Sequence, residues 1–190
     1  MIDVLVLYGS PRKNGNTSTL AKKLVDALTD SGIRDVQEFW LNDLTIKPCQ
    51  GCFRCRPTKH CVTQDDMQAI YPALEAAKTV VFAIPIFWWH MAAQMKLCLD
   101  RFTALLSEDD KLPALAGKDI IVITSYNYRE CAQGVIGMFE DFKDWIDIDL
   151  QVVEYCAQSG PVSKNMEKLE EAYNAGKVAA LRLVQSGEST

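Results

Sequence analysis

The chain has 190 residues, 48% hydrophobic and 24% charged, and its 20 lysines and arginines against 25 aspartates and glutamates give a formal charge of −5. That length supports one core of ordinary size without disulfide or metal staples, so 1–190 reads as a single domain, and the acidic balance excludes the basic footprint of a nucleic-acid or anionic-membrane binder. No apolar run approaches the ~20 residues of a spanning helix, and Met1-Ile2-Asp3 enters a strand without the basic start of a signal peptide, so the expected compartment is the cytoplasm and no membrane partner is expected. Four of the seven cysteines fall between Cys49 and Cys61. In a reducing compartment such crowding points to metal or redox chemistry rather than to a disulfide framework.

Residues 2–8, with the apolar run Val4-Leu5-Val6-Leu7, form a first strand, and Leu20, Leu24, Ala27 and Leu28 share one face of a first helix. Between them lies Gly9-Ser10-Pro11-Arg12-Lys13-Asn14-Gly15-Asn16-Thr17-Ser18-Thr19. A turn at this place presents unpaired backbone N–H groups and the positive end of a helix dipole to an anion. It supplies the hydroxyls of Ser10, Thr17, Ser18 and Thr19, the amides of Asn14 and Asn16, and the cations Arg12 and Lys13. Neither the Gly-x-x-x-x-Gly-Lys-Ser/Thr loop of nucleoside triphosphates nor the Gly-x-Gly-x-x-Gly turn of dinucleotides is present, which leaves a monophosphate. The plainer alternative is that the turn only caps the helix, although a cap needs one such residue and this turn offers six or more.

Ser31-Gly32 ends the first helix, and 36–41 reads as a second strand. The loop 42–64 carries the cysteine cluster, and Asp65-Asp66 opens a helical pattern of Met67, Ile70, Tyr71 and Leu74. Pro72 is expected to start a second helical segment, since proline does not sit deep in a regular helix. A third strand covers 79–84 and leads into Pro85-Ile86-Phe87-Trp88-Trp89-His90. Met91, Met95, Leu99 and Phe102 mark a long helix, and 119–124 a fourth strand that ends in Thr124-Ser125-Tyr126-Asn127-Tyr128-Arg129. Val135, Met138, Phe139 and Phe142 give a fourth helix, 150–155 a fifth strand, and Met166, Leu169, Tyr173 and Leu183 a closing helix. Short Val/Ile-rich strands alternating with helices imply an α/β, flavodoxin-like three-layer sandwich with a five-stranded parallel sheet in the order 2-1-3-4-5. Ligand then sits beyond the carboxyl ends of strands 1, 3 and 4.

The loop after the third strand therefore lies beside the phosphate turn. Three consecutive aromatic residues there cannot all enter one core, which leaves an aromatic surface for a flat ligand or a subunit interface. A monophosphate on one loop and an apolar planar-ring site on the next describe flavin mononucleotide (FMN). Ser125 and Tyr126 either bond the pyrimidine edge of such a ring or cap the fourth helix. The aromatic run Phe87 to Trp89 and the methionine-rich helix after it also present more apolar surface than one small domain hides, so a homodimer or higher oligomer is expected.

With these loops placed, the chain resembles the flavodoxin-like NAD(P)H-dependent FMN reductases, and within them the iron-sulfur flavoproteins. The likeness runs from Gly9-Ser10-Pro11-Arg12-x-x-Gly-Asn-Thr through Pro48-Cys49-x-Gly-Cys52-x-x-Cys55, Cys61, Asp65-Asp66-Met67 and Pro85-Ile86-Phe87-Trp88 to Gln94-x-Lys96-x-x-x-Asp100-Arg101. It implies that Ser10, Arg12, Asn16, Thr17 and Ser18 hold an FMN phosphate and that Pro85, Ile86, Phe87 and Trp88 lie along the flavin. It further implies electron transfer from NAD(P)H, or from a small ferredoxin-like donor, to a quinone, free flavin, nitro compound or similar small-molecule acceptor. An electron-carrier flavoprotein without a substrate of its own is the alternative. No catalytic acid or nucleophile is required, because the flavin does the chemistry.

Cys49-x2-Cys52-x2-Cys55-x5-Cys61 places four thiols in one loop. Successive two-residue gaps suit a four-iron four-sulfur cubane, whereas structural zinc takes two knuckles set further apart. Free thiols, zinc and a disulfide remain alternatives. Arg54, Arg56, Lys59 and His60 in the same loop would offset thiolate charge or attract an anionic partner. Cys98, Cys131 and Cys156 read as inert buried thiols, His90 as a helix-start residue bonded to backbone or a proton relay, and Asp100-Arg101 as a solvated or dimer-facing pair that could otherwise orient the cofactor loop.

Overall fold

The computed structural model describes residues 2–187, so Met1 and 188–190, which the single-domain reading includes, lie outside it. Five parallel strands form its centre: β1 (Val4–Tyr8), β2 (Val36–Trp40), β3 (Thr79–Phe87), β5 (Asp119–Tyr126) and β6 (Asp149–Cys156), in the order β2-β1-β3-β5-β6. This is the expected order with one addition. A two-residue strand β4 (His90–Met91) pairs antiparallel with the end of β3, Phe87 opposite His90. The helices are α1 (Asn16–Asp30), α2 (Met67–Ala76), α3 (Ala93–Asp100), α4 (Gln133–Ile146) and α5 (Met166–Gly187).

Because side chains alternate across a strand, each strand feeds two cores. Leu5 and Leu7, Val80, Phe82 and Ile84, and Ile120 and Val122 pack against residues of α2, α3 and α4. Val4, Val6 and Tyr8, Val81 and Ala83, and Ile121 and Ile123 pack on the other face against α1 and α5. Burial on both faces explains why these strands read as continuous apolar runs. On the second face α1 and α5 approach closely, since a Cβ at Gly176 would stand 2.4 Å from the Leu24 carbonyl.

The local signals at α1 hold. Ser31 closes the helix, Gly32 at φ 90° takes the left-handed position, and the N–H groups of Gly32 and Ile33 bond to the carbonyls of Thr29 and Leu28. Two expectations need correction. Pro72 lies inside the continuous helix α2 rather than starting a new segment. The proline costs roughly 3 kcal/mol, which burial of its neighbours Ile70, Ala73 and Leu74 offsets. The long helix after the aromatic run is shorter than expected, because Met91 belongs to β4 and 101–105 tightens into a 3₁₀ turn. Among the described residues no helix is long and apolar enough to cross a membrane.

Candidate functional site

The carboxyl ends of β1, β3 and β5 open onto one hollow of about 290 Å³. Ser10, Arg12, Asn16 and Thr17 line it from the first turn, Pro85, Ile86 and Phe87 from β3, and Ser125 and Tyr126 from β5. Parallel register brings them together: Tyr8 stands opposite Ala83, and Pro85 opposite Ser125.

The first turn does not cap its own helix. Gly15 occupies the N-cap with no side-chain bond to the helix, and the first turn contains no acidic residue. The hydroxyls are used otherwise. Ser10 Oγ accepts from the Arg12 N–H (3.1 Å), and Ser18 Oγ donates to the Arg12 carbonyl (2.8 Å). Ser18 is fully buried and is not among the residues that line the hollow; its hydroxyl braces the turn. Asn16 Oδ1 accepts from the Val162 N–H (3.0 Å), which ties the turn to the segment before α5. Lys22 Nζ donates to the Lys13 carbonyl (2.7 Å), while Lys13 Nζ pairs with Asp43 (2.6 Å) and sits over the Trp40 ring. The turn is thus held from outside, and the first amides of α1, which have no intrahelical partner, lie beside the hollow that Thr17 lines.

On the far wall, Tyr126 donates to Glu154 Oε2 (2.8 Å), and Arg129 bonds the same carboxylate. Burial, and then the bond to Glu154, push the Tyr126 phenol up to about 12, so it stays a neutral hydroxyl at physiological pH. Three lining residues were not singled out from sequence: Gly15, Asn127 and Ala157. Ala157 follows β6, whose place beside β5 was the available signal.

Trp88 is not brought to the hollow. Trp88 and Trp89, at φ 50° and 63°, form the two-residue turn between β3 and β4 and are 91% and 63% exposed. Both central residues at positive φ define the primed turn that suits a tight hairpin, normally filled by Asn and Gly. His90 is an exposed β4 residue instead of a helix start.

A second, small hollow is ringed by Cys49, Cys52, Cys55 and Cys61 together with Arg101, Thr103 and Ala104. Asp65 shapes this loop by accepting from the N–H groups of Lys47 (2.9 Å) and Met67 (3.1 Å) and from Arg101. Burial pushes the Cys61 thiol up, but hydrogen bonds from Thr63, the charge of Arg101 and a bond with Tyr71 outweigh it, so Cys61 ends below the usual thiol value. Burial raises Cys55, which is nearly enclosed. Among the described residues no three His, Cys, Asp or Glu side chains converge as ligands of a single ion. The four cysteines instead line one small hollow, Cys49 and Cys52 exposed and Cys55 buried. This donor set fits a cage-shaped cofactor, which holds its thiolates at its outer corners.

The basic residues of the loop are partly committed: Arg56 pairs with Asp110 (2.5 Å) and Lys59 donates to the Leu106 carbonyl (2.9 Å). Arg101 contradicts the expectation of a solvated pair, since its side chain is 1% exposed, whereas Asp100 meets Lys96 at the surface. Cys98 and Cys131 are buried as expected, and Cys156 is half-buried. A larger hollow of about 560 Å³ lies at the opposite edge of the sheet, where Arg182 already pairs with Asp119 (2.5 Å) and Lys118 with α2 carbonyls.

The model of the NADPH-dependent FMN reductase family matches residues 2–155. The chain belongs to that family. It is similar to an iron-sulfur flavoprotein of Methanosarcina thermophila, 28% identical over 147 residues that cover 77% of this chain and 74% of that protein. An iron-sulfur flavoprotein of Methanocaldococcus jannaschii is 31% identical over 98 residues, covering 52% and 50%. Among solved structures, the NAD(P)H:quinone oxidoreductase from Methanothermobacter marburgensis superposes over 93% of this chain and 96% of that one, with TM-score 0.68 and 15% identity. That likeness shows the flavodoxin-like fold. The matches span about half the length of several of the curated relatives.

Proposed function

We propose that the chain is a single-domain FMN-dependent oxidoreductase, taking electrons from NAD(P)H or a small carrier and passing them to a quinone, free flavin, nitro compound or similar acceptor. The observation that carries this reading is the convergence of an uncapped helix start, an apolar strand end and Tyr126 on one hollow. When bound there, FMN supplies hydride and single-electron chemistry. The chain's own residues position it. Ser10, Arg12, Asn16 and Thr17 would hold the phosphate, with the backbone amides at the start of α1 facing its charge. Pro85, Ile86 and Phe87 would lie along the ring and exclude water, and Ser125 with Tyr126 would meet its polar edge. Family membership and a monophosphate-sized donor set support FMN over a dinucleotide.

A hollow of about 290 Å³ is at the lower edge of small-molecule sites, so one chain covers such a ligand on one side only. The exposed Trp88-Trp89 tip follows directly on the lining residue Phe87 and supports a homodimer that completes the site. Seven free thiols suit a reducing cytoplasm.

The four cysteines around one hollow favour a second centre, a four-iron four-sulfur cluster held by Cys49, Cys52, Cys55 and Cys61. With that cluster the protein would serve as an electron carrier; several of its curated relatives are named iron-sulfur flavoproteins. Anaerobic titration with NADPH and NADH tests both readings. Bleaching of the flavin absorbance by either nucleotide supports the reductase. Flavin and iron that only an electron-carrier protein reduces support the carrier, and a colourless protein contradicts both.

A further inference from the structure

Arg101 heads the largest fully buried side chains of the protein, at the turn that follows α3. A buried charge is tolerated only when it is paired and hydrogen-bonded. Two of its three nitrogens meet that demand. Nη1 donates to Asp65 Oδ2 (2.6 Å) and to the Lys47 carbonyl (3.0 Å), and Nη2 to Asp65 Oδ1 (3.2 Å) and the Thr63 carbonyl (3.4 Å). Nε is buried and has no partner among the described residues. Buried donors without an acceptor are rare, and each calls for a physical account.

A guanidinium whose task was only to staple the cysteine loop to α3 would be complete with its two outer nitrogens. Nε is the donor that a staple leaves unexplained. The residue also lines the hollow around which Cys49, Cys52, Cys55 and Cys61 stand. Lysine would give a point charge there, whereas the planar fork of arginine fixes a third donor while Asp65 locks the other two.

We propose that Arg101 is a positioning residue for the cysteine-bound cluster, its Nε–H donating to a cluster sulfur and its fixed charge favouring the reduced form. The inference rests on the cluster reading above. Reduction adds one negative charge to a thiolate-rich group. Hydrogen bonds to the sulfurs and nearby charge are the protein's levers on the potential of such a group. Asp65 fixes the guanidinium through its two outer nitrogens and offsets part of its charge, so donor and residual charge act together.

The test uses the full chain, reconstituted anaerobically with ferrous iron and sulfide and loaded with FMN, as wild type, as Arg101→Lys and as the neutral pair Asp65→Asn/Arg101→Gln. Iron and FMN contents are measured, and the cluster is titrated with dithionite as the electron source. In the neutral pair the ratio of reduced to oxidised cluster at a fixed potential should fall at least tenfold, equivalent to about 59 mV for one electron. Arg101→Lys, which keeps a charge but loses the third donor, should fall between and should shift the iron-sulfur stretching bands. Full iron with an unchanged potential and unchanged bands in both variants would overturn the proposal. Loss of iron from both, with FMN retained, would reduce Arg101 to a loop staple and overturn it as well. Wild type that takes up no iron contradicts the cluster reading itself, and the wild-type iron assay separates that failure from the others.

Discussion

The guanidinium of Arg101 grips the carboxylate of Asp65 at two points, 2.6 and 3.2 Å, with both side chains 1% exposed. This pair joins the end of α3 to the end of the cysteine loop, across 36 residues of sequence. Removing one partner leaves a buried charge unmatched, so Asp65→Asn should cost about 3–5 kcal/mol in urea unfolding at pH 7. Burial alone would raise the Asp65 carboxyl, but the bonds and charge of Arg101 and the Lys47 and Met67 N–H groups hold it below the usual carboxylate range. A carboxyl depressed in the folded state stabilises the fold above its unfolded value of about 3.9, and that stability is lost as pH falls through the lower folded value. The difference between wild type and Asp65→Asn should therefore be flat from pH 7 to 5 and shrink only in the acid range below the unfolded value. A difference that disappears near neutrality would contradict the pairing.

Ser10 and Thr17 line the hollow, whereas Ser18 braces the turn from behind. Replacing Ser10 and Thr17 together with alanine should weaken FMN binding by about 1–3 kcal/mol, taking the hydroxyls as donors to a charged group. Fluorescence quenching on titrating apoprotein with FMN measures this. Equal affinity in the double variant would show that the turn does not hold the phosphate.

Two tryptophans at positive φ store strain that asparagine and glycine would not. Replacing Trp88-Trp89 by Asn-Gly should raise the stability of the isolated chain by about 1–2 kcal/mol, at the low end of the cost of such conformations. It should also weaken self-association, because the exposed rings are lost. Sedimentation of the two proteins at equal concentration reads the second effect. An unchanged oligomer would remove the tip from the interface.

At Gly176 two effects oppose. Alanine favours a helix interior by about 1 kcal/mol, but its Cβ would stand 2.4 Å from the Leu24 carbonyl and force α1 from α5. Overpacking costs about 1–3 kcal/mol, so Gly176→Ala should be destabilising overall. Thermal unfolding gives the sign, and a stabilised variant would mean that the helices part easily.

The sheet order was legible because doubly buried strands carry an unbroken apolar signal, and the first turn was legible because its donors are consecutive in sequence. Other features depend on partners distant in sequence. Arg101 reads as a surface pair with its neighbour Asp100, and only the fold brings Asp65 beneath it. The hairpin at Trp88-Trp89 lacks the Asn-Gly signal that marks such turns, so β4 is invisible before folding. Ser18 resembles the donors around it, yet one residue along a helix rotates a side chain by about 100°, which turns it to the back of the turn. Pro72 reads as a break because local propensity does not register the burial of Ile70 and Leu74.

Every role proposed for the first turn, the end of β3 and Tyr126 depends on FMN in the hollow at the ends of β1, β3 and β5. Mass spectrometry of the chromophore released by heat from anaerobically purified protein identifies the occupant. FMN, near one per chain, is expected. FAD as the dominant species, or protein that emerges colourless from a flavin-replete preparation, would contradict it.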